Sequence, residues 1–313
     1  MARHLAYNKA MRDEQAGFTS EILRLKKEKG ALLLAHNYQL PEVQDVADFV
    51  GDSLELSLAA QRSSEPLIVF CGVYFMAEVA AILSGKRVLM PVPEAGCPLA
   101  AMAGVEALAK ARLERPNAAV VTYINSTAEL KAASDWICTS ANAVRVVEAV
   151  PEEEILFLPD QGLGSWVAEQ TRKTIRLWPG FCPTHFRLLP VDIQRARREY
   201  AEALVLVHPE CRPEVRRLAD QVLGTGGMLR FAHYDAATDF IIGTEEGLLH
   251  RLRKENPGKR FHLASPLLVC PNMKMTDLAS LTRCLAEESG EVAVSPQWEA
   301  GARRALERMM TIR

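Results

Sequence analysis

Short apolar runs alternate with longer stretches of mixed polarity along this chain. The first run, Ala31–Ala35, has no polar residue, and further runs follow at Leu67–Phe70 and Arg87–Met90. Continuous apolar runs are typical of parallel strands that are covered on both faces. Helix starts are favoured at Pro41 and at Gly51-Asp52-Ser53. Three helices are predicted here, at Pro41–Phe49, Leu54–Arg62 and Phe75–Leu83. The pattern predicts a β-α-β-α-β-α-β unit, in which these runs are the first, third and fourth strands.

The same order of elements occurs three times. Ala118–Thr122 and Ala203–Val207 align with Ala31–Ala35. The later strands recur at Ile155–Leu158, Phe240–Ile242, Thr174–Trp178 and Arg260–Ala264. Three further positions recur in this alignment, and the first and third are 17 residues apart in every copy. The three sets are His36, Tyr123 and His208; Tyr38, Asn125 and Glu210; and Ser53, Ser140 and Thr225.

Internal repetition of this kind indicates repeated supersecondary units. The chain is therefore predicted to be an α/β protein of three small doubly wound domains, each of about 80 residues with a parallel sheet between helices, around a pseudo-threefold axis. The predicted ranges are 20–100, 101–186 and 187–272 for the repeats, and 273–313 for a C-terminal helical segment that packs with a helical leader at Lys9–Lys29. Ligands of parallel sheets bind beyond the carboxyl ends of the strands, so we expect one shared site on the axis.

The composition of the chain indicates what kind of molecule it binds. The chain has 313 residues, a formal net charge of −2 and no run of Lys or Arg, which argues against a nucleic-acid partner. No apolar run is long enough to span a membrane and the N-terminus has no signal-peptide core, so a cytoplasmic location is expected. Seven cysteines indicate reduced thiols or metal ligands rather than a disulfide framework. Small molecules are the expected partners.

Three of the cysteines are followed by proline, namely Cys97, Cys182 and Cys270. They lie 85 and 88 residues apart, each in the loop after the fourth strand of a repeat. One thiolate from each domain could converge on a single metal centre. Three cysteines suit an iron-sulfur cluster in which one iron lacks a protein ligand, and such an iron can act as a Lewis acid.

Two other interpretations of these cysteines remain open. Each could be a buried structural thiol in a loop. A closed zinc site could use them with His185 as the fourth ligand, although structural zinc sites usually pair their ligands at short spacing. The remaining cysteines have no repeat relation and are predicted to be structural. They are Cys71, Cys138, Cys211 and Cys284.

The other recurring positions offer acids, bases and hydrogen-bond donors at strand ends. Glu210 is the only carboxylate among them and is the preferred proton shuttle. Ser53, Ser140 and Thr225 are predicted to be helix N-caps. Three helix N-termini on one axis would gather amide donors into a site for carboxylates or phosphate.

Ten motifs in order along nearly the whole chain resemble the quinolinate synthase family. They are Ala35–Gln39, Val50–Ser53, Phe70–Val73, Phe75–Glu78, Glu94–Pro98, Tyr123–Ser126, Cys138–Asn142, Gly180–Pro183, His208–Cys211 and Cys270–Lys274. Two departures are visible: Leu223-Gly224-Thr225 stands where the family often has Gly-Ser-Thr, and Tyr74 stands where histidine is frequent.

The resemblance implies a three-domain fold around one [4Fe-4S] cluster held by Cys97, Cys182 and Cys270. The implied activity is condensation of iminoaspartate with dihydroxyacetone phosphate to quinolinate, with release of phosphate and water. It implies catalysis by His36, Tyr38 and Glu210, with Tyr38 and Glu210 in proton transfers. The implied substrate contacts are His36, Ser53, Tyr123, Asn125, Ser140, His208, Glu210 and Thr225. An enzyme that supplies iminoaspartate is a candidate partner.

The alternative from another class is a non-catalytic iron-sulfur sensor that binds a small anion. A zinc hydrolase is a third interpretation. Product formation from the two substrates would separate the enzyme from the sensor, and metal analysis would separate both from the hydrolase.

Overall fold

Twelve strands form three separate parallel sheets of four strands in the described chain. The computed structural model describes residues 2–312, with side chains from residue 13 onward. The first sheet contains β1 (Ala31–His36), β2 (Phe49–Gly51), β3 (Leu67–Cys71) and β4 (Arg87–Leu89). The second contains β5 (Ala119–Tyr123), β6 (Trp136–Cys138), β7 (Glu154–Leu158) and β8 (Thr174–Leu177). The third contains β9 (Leu204–Val207), β10 (Gln221–Val222), β11 (Asp239–Gly243) and β12 (Arg260–Leu263).

The strand order is the same in all three sheets. It is β2-β1-β3-β4, β6-β5-β7-β8 and β10-β9-β11-β12. Helices connect the parallel strands, as the sheet direction requires. The predicted α/β fold of three repeated, doubly wound units is thereby confirmed. The domain boundaries themselves stay a prediction.

The helices of the three units and the flanking segments are as follows. The leader and first unit have α1 (Ala2–Lys29), α2 (Pro41–Val46), α3 (Ser53–Arg62) and α4 (Tyr74–Ser84). The second unit has α5 (Val105–Glu114), α6 (Ala128–Ala132), α7 (Ala143–Ala149), α8 (Gln161–Gln170) and α9 (Pro183–Phe186). The third unit and the C-terminal segment have α10 (Pro190–Glu199), α11 (Pro213–Arg216), α12 (Thr225–Tyr234), α13 (Leu248–Glu255), α14 (Leu278–Glu287) and α15 (Pro296–Thr311).

One aspartate fixes the edge strand in every unit. Asp48 donates its amide to the carbonyl of Leu33 at 2.9 Å, and its carboxylate accepts the Leu33 amide at 2.8 Å. Asp135 and Asp220 occupy the equivalent positions and make the same pair of bonds to Val120 and Val205. The prediction of a helix through Phe49 is wrong for this reason: the helix ends at Val46, and Asp48 turns the chain into β2.

The two faces of each sheet enter different cores. Ile68, Ile155 and Phe240 are equivalent in the three repeats, and all three are buried in one large cluster that the units share. Their neighbours point to the opposite faces, where Val69, Leu156 and Ile241 enter three separate clusters, one for each unit. Successive side chains of a strand point to opposite faces of its sheet. One face of each sheet therefore packs in the core that the units share, and the other face packs in a core of its own unit.

The terminal segments pack in two places. Helix α14 lies against α1, and α15 lies against α6 and β6 of the second unit and α4 of the first. None of the helices in the described chain combines the length and hydropathy that a membrane span requires.

Candidate active site

The carboxyl ends of strands from all three sheets surround one cavity of about 170 Å³. Its wall contains every residue that the sequence singled out for substrate or metal. These are His36, Tyr38, Ser53, Cys97, Tyr123, Asn125, Ser140, Cys182, His208, Glu210, Thr225 and Cys270. Each unit thus contributes to a single site, in keeping with the position at which parallel sheets bind ligands.

The three Cys-Pro steps share a local conformation. In each, the proline begins or immediately precedes a short helical turn: Leu99–Ala101, Pro183–Phe186 and Asn272–Lys274. Proline suits this position because it lacks the amide hydrogen that the first turn of a helix leaves unbonded. The three thiols are free and only partly buried, whereas the other four cysteines are buried in the cores.

The donor geometry does not form a mononuclear Cys₃His site. Within the described residues, one group of potential ligands lies within 4.8 Å of one another, and it consists of Cys182, His185 and Glu210. Ligands of a tetrahedral zinc ion lie about 3.8 Å apart for Zn–S bonds near 2.3 Å. Cys97 and Cys270 stand outside this compact group, so the closed zinc site with His185 is not preassembled.

A chain of hydrogen bonds joins the candidate acids and bases. The Tyr38 hydroxyl lies 2.6 Å from Thr244 Oγ1, which lies 2.9 Å from His185 Nε2. His185 Nδ1 lies 2.8 Å from Glu210 Oε2, and the same oxygen is 3.2 Å from His208 Nδ1. All of these side chains are buried. The phenol and the carboxylate are therefore connected through a hydroxyl and an imidazole.

Burial and mutual contacts set the charges of these groups. For Glu210, burial opposes ionisation, but the His185 charge and hydrogen bonds from His185 and His208 outweigh it and lower the pKa of this carboxyl. Burial lowers the pKa of His36 to about 3, so its ring is neutral. Burial, with the charge of Glu210, raises the pKa of Tyr38 and of Tyr123. At neutral pH Glu210 is therefore a carboxylate, while the ring of His36 and the phenols of Tyr38 and Tyr123 are neutral.

Burial also raises the pKa of the three cysteine thiols facing the cavity. The pKa of Cys97 rises to about 12, and the pKa values of Cys182 and Cys270 rise as well. Protein groups alone therefore leave these thiols protonated. A cationic metal centre is the kind of partner that would ionise them.

The prediction that Ser53, Ser140 and Thr225 cap helices is wrong. Asp52 caps α3 and accepts the amides of Leu54 and Glu55, because its carboxylate reaches them from one residue earlier. Gly224 occupies the cap position of α12, and Asn142 that of α7. Since they are not used as caps, the hydroxyl groups of Ser53 and Ser140 stay available to the cavity.

Comparison with known proteins identifies the family. The family model described as quinolinate synthetase A protein (NadA) matches residues 20–311. A quinolinate synthase of Geotalea uraniireducens (strain Rf4) is 50% identical over 293 residues, which cover 93% of this chain and 96% of the relative. That of Dehalococcoides mccartyi (strain CBDB1) is 51% identical, with 93% and 97% covered. The chain belongs to the quinolinate synthase family. The prediction of an enzyme of this family is confirmed.

A relative from Methanoregula boonei shows how completely the chain matches a quinolinate synthase. It is 50% identical over 301 residues, which cover 96% of this chain and all of the relative. The resemblance seen in the ten motifs therefore extends over the full fold.

One departure from the family pattern has a clear setting. A Cβ atom at Gly224 would lie 3.1 Å from the hydroxyl of Ser140. A serine at this position would therefore place its Cβ atom close to the Ser140 hydroxyl.

Sequence reasoning missed Thr244 and Glu245, and it found no role for Lys274. Glu245 lines the cavity, and its carboxylate accepts the amide of Cys270 at 3.0 Å. The repeat contained a signal for Glu245. Val73, Asp160 and Glu245 occupy equivalent positions, each two residues after the third strand of its unit. Two of these three residues are acidic and buried next to a Cys-Pro loop.

Proposed function

We propose that this enzyme condenses iminoaspartate with dihydroxyacetone phosphate to quinolinate, releasing phosphate and water, on a [4Fe-4S] cluster held by Cys97, Cys182 and Cys270. The observation that carries the proposal is the placement of these three thiols, one from each unit, in the wall of one cavity with the candidate acids and bases. Membership of the quinolinate synthase family supports the same reaction.

The donor set fits such a cluster. Three free thiols supply three ligands, and each stands on a loop that a proline stiffens. When bound, the cluster would supply a Lewis-acidic iron without a protein ligand, able to accept a carboxylate or ring nitrogen of the reacting molecules.

Glu210 is proposed as the base that removes protons from the condensing carbon skeleton. Its low pKa keeps it ionised, and its Oε1 is buried without a hydrogen-bond partner among the described residues. An unpaired buried oxygen is costly, so this atom is well placed to accept a hydrogen bond or a proton from a bound substrate.

Protons can pass between Glu210 and Tyr38 through protein groups. His185 and Thr244 stand between them, with contacts of 2.6 to 2.9 Å along the whole path. Each of these groups can accept one proton while it gives up another. Tyr38 keeps its proton at neutral pH and can donate it to a leaving hydroxyl. A proton that Glu210 takes up can therefore be passed along this path to Tyr38 without entering solvent.

Neutral donors are proposed to orient the substrates. The Tyr38 amide donates to His36 Nδ1 at 3.2 Å, so the proton of the neutral ring is on Nε2 and can be donated to a carboxylate. Ser53, Ser140 and Thr225 lie near three helix N-termini, whose amides and dipoles favour carboxylate and phosphate groups. Asn125 Oδ1 is buried without a partner in the described chain and would accept from an imine or hydroxyl.

Product formation tests the proposal. Anaerobically prepared protein should contain about four irons per chain, absorb near 400 nm, and form quinolinate from dihydroxyacetone phosphate and iminoaspartate generated in the assay. Replacing any of Cys97, Cys182 or Cys270 by serine should abolish both the absorbance and the product. Cys284→Ser, at a buried cysteine outside the cavity, is the matched control and should keep both. A protein that holds the cluster but forms no quinolinate would be the sensor instead.

A further inference from the structure

A buried ion pair lies directly behind the third cysteine loop. Glu245 is fully buried two residues after the end of β11, where its Oε1 accepts the Cys270 amide at 3.0 Å and its Oε2 accepts the Gly247 amide at 2.7 Å. Lys274 Nζ lies 3.0 Å from Oε1 of the same carboxylate. The carboxylate is thus held by two amides and one cation, which satisfies its buried charge.

Lys274 connects this carboxylate to the opposite wall of the site. Its ammonium group donates to the carbonyl of Tyr38 at 2.8 Å. Lys274 itself belongs to the helical turn that follows Cys270-Pro271. One ion pair therefore ties the Cys270 loop of the third unit to the Tyr38 loop of the first.

The third loop in turn supports the first cysteine loop. Asn272 Nδ2 donates to the carbonyl of Gly96 at 2.6 Å, one residue before Cys97. The first unit has Val73 at the position of Glu245, so it has no carboxylate of its own for this purpose. In the second unit the equivalent Asp160 is fully buried, and burial together with the charge of Glu210 raises its pKa, against backbone hydrogen bonds that include one from the Cys182 amide. Buried acidic residues thus recur behind two of the three thiols.

We propose that Glu245 and Lys274 are positioning residues for the metal centre, which fix the Cys270 thiol and hold its loop in register with Tyr38. This inference rests on the proposed function, because only there is Cys270 a cluster ligand. Groups that hydrogen-bond to the ligand loops of metal sites orient those ligands, and replacing them typically weakens metal binding by about 10- to 100-fold. A negative charge next to a ligand also lowers the reduction potential of a cluster.

The test compares variants of the cluster-loaded full chain. Glu245→Gln keeps the shape and removes the charge, Lys274→Met removes the cation, and Lys274→Arg retains it. Glu246→Gln is the matched control, since this neighbouring carboxylate is 44% exposed and lies 4.0 Å from Lys274. The readouts are the rate of iron loss to a chelator, the midpoint potential of the cluster, and the melting temperature of the protein without cluster.

The expected result is iron loss about 10- to 100-fold faster in Glu245→Gln and Lys274→Met. Lys274→Arg should lose iron at a rate nearer to that of the wild type, and Glu246→Gln should lose iron at the wild-type rate. The midpoint potential of Glu245→Gln should shift to a more positive value, because a negative charge beside the Cys270 ligand is removed. If Glu245→Gln does not fold, the rate of iron loss from Lys274→Met decides.

Two outcomes overturn the inference in different ways. If the wild type binds no cluster, the proposed function fails and this inference fails with it. If the wild type holds its cluster while Glu245→Gln and Lys274→Met lose iron at the wild-type rate, the pair only stabilises the fold, whatever their melting temperatures. In that case the proposed function stands and the positioning role is wrong.

Discussion

Glu210 is the proposed base, a buried carboxyl whose pKa is lowered by its contacts with His185 and His208. Glu210→Gln keeps the size of the side chain but cannot take up a proton. We expect turnover to fall by about 100-fold or more, since a positioned acid or base typically contributes about 10²- to 10⁴-fold. The measurement is quinolinate formation by protein of matched iron content. Unchanged turnover in a variant with full cluster absorbance would remove Glu210 from its role.

Lys131 gives a prediction about pH and stability at the same scale. It is fully buried, donates to the Ser126 carbonyl and lies 5.3 Å from the centre of the Phe75 ring. Burial lowers its pKa to about 7, against the opposing charge of Glu78. The unfolded chain keeps this proton up to a pKa of 10.5. Above pH 7 the unfolded state therefore binds more protons than the folded state, and this lysine makes stability rise with pH.

Lys131→Met removes that contribution. The free energy of unfolding of the variant relative to the wild type should be most favourable at pH 7 and below, and this advantage should shrink as the pH is raised toward 10. Urea unfolding at several pH values measures the difference. A difference that stays constant over this range would show that Lys131 keeps its proton in the folded protein.

At the level of elements, the aspartate that precedes each edge strand binds the backbone of the neighbouring strand, a role that the sequence did not predict. Asp220 does not line the cavity, so its effect on stability can be measured apart from activity. In Asp220→Ala the Val205 amide loses its carboxylate partner, and we expect the free energy of unfolding to fall by about 1 kcal/mol. Glu214→Ala, at an exposed position of α11, is the control and should change little. Equal stability of the two variants would contradict the assigned bond.

Long apolar strands and their order could be predicted from the sequence because burial on both faces leaves a continuous apolar run. The edge strands could not, since β10 has only two residues and β2 only three, too few for a pattern. The caps were misassigned because serine and threonine are good caps in general, while the neighbouring Asp52 had the better geometry here. Side-chain partners such as Thr244 and His185 depend on contacts between units, which no local pattern contains.

At the level of the whole molecule, the backbones of the first and third units are in direct contact next to the site. Gly247 of the third unit packs on Tyr38 of the first, and a Cβ atom at Gly247 would lie 2.7 Å from the Tyr38 carbonyl carbon. Gly247→Ala must therefore displace Tyr38 or α13. We expect kcat/KM to fall by about 10- to 100-fold, because displacements near 1 Å at catalytic groups have effects of this size. The readout is quinolinate formation by protein with its full iron content.

Gly258→Ala is the matched control for this contact, since nothing lies within 4 Å of a Cβ atom there. It should retain wild-type kcat/KM. Loss of activity in both variants would point to a general effect of the substitution rather than to the contact with Tyr38.

Helix α15 is the last element of the chain, yet it lies on α6 and β6 in the middle of the sequence. Its buried face includes Leu306 and Met309, and the carbonyl of Ile312 accepts a hydrogen bond from Asn142, which is two residues after the cavity residue Ser140. During synthesis on the ribosome, the second unit must keep this apolar surface uncovered until α15 has left the exit tunnel. Folding of the second unit should accordingly finish only after the third unit has been synthesised.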